Sequence, residues 1–129
     1  MKKVFGYPEF SAEGERVLCT YDNEYSDMLM DVRVYRMKAG TTRTFQRTGE
    51  ETAVLLLSGK IRYEWEGNAE TVSRKDVFTE GPWCVHVCTG TEVKVTAQED
   101  SEILVQCTHN DREFPAKLYK PEDAPWGYS

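Results

Sequence analysis

Apolar positions come in short runs rich in Val, Ile, Leu, Tyr and Thr, broken by Gly, Pro, Asn or Asp. The breaks recur about every 8–12 residues, the spacing of short strands joined by turns. Nothing in the chain carries the period of a long amphipathic helix. The pattern predicts strands over Arg16–Tyr21, Met28–Lys38, Thr52–Leu57, Lys60–Trp65, Asp76–Thr79, Cys84–Cys88, Glu92–Ala97 and Ile103–Thr108. In Glu92–Ala97, Val93, Val95 and Ala97 alternate with Glu92, Lys94 and Thr96, so one face is buried and the other wet. The class is all-β, a sandwich or barrel.

The turns set the order of pairing. Ala39-Gly40 ends the long second strand, and Thr89-Gly90-Thr91 precedes the alternating one. Ser58-Gly59 separates two apolar runs so narrowly that it predicts a hairpin. Glu66-Gly67-Asn68 closes the next pair, with Gly or Asn supplying a positive φ. Leu55 and Leu57 fall on the face opposite Val54 and Leu56, so that strand is apolar on both sides. Something then covers its outside: the N-terminal strands, the tail, or a second copy, and a homodimer is the expectation. From Asn110 the chain turns polar and Pro-punctuated, a tail expected to wrap the outside with Phe114, Leu118 and Trp126 as anchors.

The length, 129 residues, suits a single domain. It divides into N-terminal strands over about 1–27, a barrel core over 28–109 and the tail over 110–129. A net charge of −6 with scattered Lys and Arg argues against nucleic acid as a partner. No run approaches the ~20 apolar residues of a membrane span. The basic start Met1-Lys2-Lys3 leads into no apolar stretch, so a cytoplasmic location is expected. Cys19, Cys84, Cys88 and Cys107 then read as reduced thiols. On a regular strand Cys84 and Cys88 share a face about 13 Å apart, too far for a disulfide.

Catalytic signatures are sparse. No glycine-rich phosphate loop and no nucleophile elbow occurs. The two histidines differ in setting. His109 follows the last strand in a polar turn and reads as a surface residue. His86 lies mid-strand, where an imidazole can hydrogen-bond a ligand or move a proton near neutral pH.

The segments Val34–Gly40, Arg47–Glu51, Val54–Lys60, Asp76–Pro82, Gly90–Ala97 and Ala116–Asp123, in this order and spacing, resemble the cupin family. Within it the chain is similar to the amino-terminal half of the two-cupin 5-deoxy-glucuronate isomerases of inositol breakdown and their uronate-isomerase relatives. The resemblance implies a single cupin barrel, a jelly roll. It also locates the family's metal site. Anchored on Gly40 and Gly59, the two His positions of the first motif fall on Gln46 and Thr48, and the Glu on Thr52 or its neighbour Glu51. The His of the second motif falls on Val93, after the Cys88-Thr89-Gly90 turn. These side chains are poor ligands for a divalent ion. No metal and no other cofactor is expected, and the resemblance places the metal-bearing machinery in the other half of the two-cupin enzyme.

A metal-free barrel still has a mouth. Gln46, Thr48, Thr52 and His86 are expected on its inward face, with Arg43, Arg47 or Trp83 at the rim. An aromatic face, hydroxyls, an amide and an Arg suit a sugar acid. A binding or accessory module for a sugar acid is the first expectation. The alternatives are an aldose–ketose type isomerase working through His86 and Glu51, and an assembly module without a ligand.

Overall fold

The computed structural model describes residues 10–20, 30–76 and 81–121. Nine strands form its frame: β1 (Glu15–Cys19), β2 (Met30–Met37), β3 (Thr42–Phe45), β4 (Glu50–Trp65), β5 (Asn68–Arg74), β6 (Trp83–Val87), β7 (Val93–Ala97), β8 (Ser101–His109) and β9 (Lys117–Tyr119). All pairings are antiparallel. One layer runs β1-β2-β8-β4-β6-β9, and β3, β7, the second half of β4, and β5 make the other. Among the described residues no helix is long and apolar enough to cross a membrane.

The expected hairpin at Ser58-Gly59 is not there. The runs over Thr52–Leu57 and Lys60–Trp65 belong to one strand, β4, which passes from one layer into the other. Its first half pairs with β6 and β8, its second half with β5 and β7. The crossing needs a bend. The β4–β8 register slips between Leu56 and Ser58, and Gly59 adopts φ 106°. A bulge followed by a residue free of Cβ restraint turns a strand through a barrel corner. The slip also moves the inward parity from Val54 and Leu56 to Ile61 and Tyr63, so both halves face one core.

The turn expected at Glu66-Gly67-Asn68 is present, with Glu66 rather than Asn68 sharing the positive φ with Gly67. Trp65 and Asn68 pair directly, joined by Glu66 at φ 48° and Gly67 at φ 80°. Two positive φ values in a two-residue link match the right-handed twist of the strands on either side. Strands β3, β5 and β9 lie where the apolar signal is thin and were not expected. The expected strand ends at Tyr21 and Met28, the strand over Asp76–Thr79 beyond Asp76, and the Trp126 anchor lie outside the described residues.

Residues opposite each other across antiparallel strands share a face, so the registers build the core in tiers. Leu56 stands between Ile103 and Trp83, Val54 between Val105 and Val85, and Thr52 between Cys107 and Val87. From the facing layer Ile61, Tyr63, Val72, Val93, Val95 and Ala97 close the interior. Leu56, Ile61, Tyr63 and Ile103 are fully buried. Burying each side chain of this size contributes about 1.5–3 kcal/mol. Tyr63 keeps its hydroxyl satisfied by donating to the Val54 carbonyl at 2.8 Å.

Candidate functional site

Two places gather chemically able side chains, and they lie on opposite faces of the β4–β6–β8 layer. The first is inside, where the apolar tiers give way to charge. Along β2, Asp31, Arg33, Tyr35 and Met37 share the inward parity, set by their partners Cys107, Val105, Ile103 and Ser101. Arg33 grips Asp31 with two hydrogen bonds, 2.8 and 3.0 Å, and reaches Glu15 of β1 at 3.0 Å. Tyr35 donates its hydroxyl to the same Glu15 oxygen at 2.9 Å. Arg47 holds Glu50 through two bonds of 3.1 Å and stands 3.5 Å from Asp31. Arg43 lays its guanidinium over the Tyr35 ring at 4.4 Å and donates to the Glu13 carbonyl. Phe45 packs edge-tilted on Tyr35 at 5.2 Å.

The result is one chain of contacts: Glu50, Arg47, Asp31, Arg33, Glu15, Tyr35, Arg43. The Asp31 carboxylate is 6% exposed, so its charge depends on the two arginines. Burial works to raise the Glu15 carboxyl. The bonds from Arg33 and Tyr35 and the fields of Arg33 and Arg43 outweigh it, and Glu15 ends below its ordinary value. Burial, then the neighbouring Glu15, pushes the Tyr35 hydroxyl up to about 12, which keeps it a donor. Burial likewise raises the Cys107 thiol, which lies 3.6 Å from the Thr52 hydroxyl.

The second place is a groove of about 510 Å³ on the outer face. Glu51, Ala53 and Leu55 of β4, Cys84 and His86 of β6, Gln106 and Thr108 of β8, and Tyr119 of β9 line it. His86 Nε2 stands 3.6 Å from Glu51 Oε2, and Asn110 donates to that same carboxylate oxygen at 2.9 Å. Phe114 stacks on the imidazole at 4.8 Å. Phe114 and β9 thus meet, within the chain, part of the covering that the two-sided apolar strand calls for. Leu118 turns inward against the core.

The expected inward set is therefore corrected in three positions. Gln46 and Thr48 are exposed, and Gln46 spends its amide on the Gly90 carbonyl at 2.8 Å. His86 sits on the outer face with Glu51. The reason is parity: along β3 and the residues that follow it the inward positions are Arg43, Phe45 and Arg47, and the residues between them point out. Thr52 is inward and 2% exposed. Arg43 and Arg47 join the interior network, whereas Trp83 packs beside Leu56 two tiers away. Sequence reasoning passed over Asp31, Arg33, Glu15, Tyr35 and Glu50. A signal existed: charged residues at alternate positions of β2, on the same parity as the core residues Tyr35 and Met37. It also passed over Gln106, Thr108 and Tyr119.

The cation position that the cupin pattern implies fails a donor test. Thr52 is engaged with Cys107, Val93 is hydrocarbon, Gln46 and Glu51 face elsewhere, and two guanidinium groups stand nearby. Among the described residues no group of three or more His, Cys, Asp or Glu could hold a metal ion. These residues do not fit the group.

The described residues form a single barrel of the cupin, jelly-roll class. The chain belongs to the KduI/IolB family, whose model matches residues 6–126. Among curated proteins none matches it. Solved structures resemble it in fold. An IolB-like protein from Salmonella typhimurium superposes with a TM-score of 0.68 at 23% identity, over 73% of this chain and 37% of that one. YlbA from E. coli gives 0.64 at 16%, over 95% and 48%. A cupin superfamily protein from Desulfitobacterium hafniense gives 0.56 at 14%, over 75% and 76%. The chain thus spans less than half the length of the first two.

Proposed function

We propose that this chain is a metal-free cupin module that binds a sugar acid at the charged end of its barrel, as a binding or accessory partner to isomerase chemistry of its family. One observation carries the reading: Arg33, Arg43 and Arg47 converge with Asp31, Glu15 and Glu50 beside two aromatic rings. A guanidinium pairs with a carboxylate in a fixed, two-pronged geometry. Neighbouring carboxylates accept hydroxyl hydrogens, and the Tyr35–Phe45 pair offers a flat apolar face. Half-exposed Arg47 and Arg43 are the groups a ligand carboxylate would meet first. The work is cytoplasmic on this reading. The isomerase alternative relied on His86 and Glu51; that pair is made, but on the far side of the sheet from this cluster.

Isothermal titration with glucuronate, and with glucose as the uncharged comparison, tests the proposal. Glucuronate should bind and glucose should bind far more weakly. Arg47→Met should weaken glucuronate by about tenfold or more, the loss of one charge-assisted contact. Arg43→Met, which removes no ion pair at Glu50, checks that the effect is not a folding defect. Equal affinity for the two sugars, or none for either, overturns the reading.

A further inference from the structure

The outer groove differs chemically from the charged interior. Its floor is hydrocarbon and thiol: Ala53, Leu55 and Cys84. Its acidic group, Glu51, is turned to its own neighbours: it stands 3.6 Å from His86 and accepts from Asn110. At the rim stands Lys117 of β9, the cross-strand partner of His86. Lys117 is exposed, with its Nζ held 4.8 Å above the ring of Tyr119, a wall of the groove. Among the described residues no carboxylate pairs with Lys117. A cation with no carboxylate partner among the described residues therefore sits over an aromatic wall, next to an apolar floor.

We propose that this groove binds a small carboxylate with an apolar ring, the ring lying on Ala53, Leu55 and Cys84 and the carboxylate meeting Lys117. The volume falls in the range of small-molecule pockets and admits a single ring with room to spare. A sugar would lay hydroxyls over Leu55 and Ala53 with no partners, which is costly. A cationic ligand would meet the Lys117 charge. Polar side chains flank the apolar floor on both sides, Gln106 and Thr108 on β8 and His86 and Tyr119 toward Lys117 on β6 and β9. Phe114, stacked on His86, fixes the imidazole beside the same strand pair. Burial pushes the Cys84 thiol up to about 12, so the floor stays uncharged and unreactive at neutral pH.

The test is a two-dimensional amide NMR titration of the full chain with benzoate, and with benzamide as its neutral match in shape. Benzoate should move the amides of Leu55, Cys84, Gln106 and Tyr119 in a saturable way. Lys117→Met should weaken benzoate about tenfold and leave benzamide unchanged. Ala53→Met should fill the floor and weaken both; should it fail to fold, the exposed Lys117 position still decides. Benzoate without saturable shifts overturns the proposal, as does a Lys117→Met variant that binds both compounds as before. So does sedimentation showing a dimer that buries Leu55 and Tyr119, which would make the groove the seat of a second copy.

Discussion

Replacing Arg33 by Met keeps most of the side chain's stem and removes its charge. Asp31, 6% exposed, then loses a two-pronged partner at 2.8 and 3.0 Å and keeps only Arg47 at 3.5 Å. Glu15 loses its ion pair and keeps the Tyr35 hydroxyl. Removing one partner of a fully buried pair costs about 3–5 kcal/mol. Arg33 is 28% exposed and Asp31 retains a cation, so water and Arg47 absorb part of that loss. The expected cost is about 2 kcal/mol, a large share of a typical domain's stability. Urea unfolding followed by tryptophan fluorescence reads it as a lower midpoint at an unchanged slope. Adding Asp31→Leu removes the stranded anion, so the double variant should lose at least about 1 kcal/mol less than the two singles summed. An Arg33→Met cost below about 0.5 kcal/mol, or strict additivity, would refute the view that these groups act as one network.

Other expectations follow from the same geometry. The depressed Glu15 carboxyl adds stability that is present above its ordinary value of 4.5 and is lost as pH falls through its lower folded value. Acid unfolding should steepen below that point, and Arg33→Met should flatten the slope. Gly59→Ala would set a Cβ 2.1 Å from the Ser101 hydroxyl and 2.7 Å from the Asp100 carbonyl, at φ 106°. It should destabilise by about 3 kcal/mol or more, or prevent folding, as thermal melts would show. Cys19, Cys84 and Cys107 are buried and Cys88 is half-buried, so iodoacetamide should label Cys88 first in the folded protein, read by mass spectrometry. A chelator should leave the melting temperature unchanged.

Much of the fold was legible because side-chain alternation is a direct record of which face is buried. Val93, Val95 and Ala97 announced their strand, and Glu66-Gly67 its turn, through local chemistry alone. The Ser58-Gly59 link misled because a glycine between two apolar runs fits either a hairpin or a corner. Which one forms is decided by partners far along the chain, here β5 and β7 against β6 and β8. The site was harder to read for a related reason. Counting from Gly40 located the right segment, but a one-residue parity error exchanges Gln46 and Thr48 for Arg47, and nothing local corrects it. The Arg33–Asp31–Glu15 cluster joins β1 to β2, and the link to Arg47 spans further still. Such contacts exist only once the strands pair. His86 and Glu51 stand 3.6 Å apart, and the face they share became visible only through the registers of β4 and β6.

The most direct measurement is the chemical-shift map of the full chain titrated with glucuronate. Binding at the charged end predicts saturable shifts clustered on Arg43, Arg47, Glu50 and Thr52, with the outer-groove residues Leu55 and Gln106 unmoved. Shifts confined to the groove, or scattered weakly with no saturation, would contradict it.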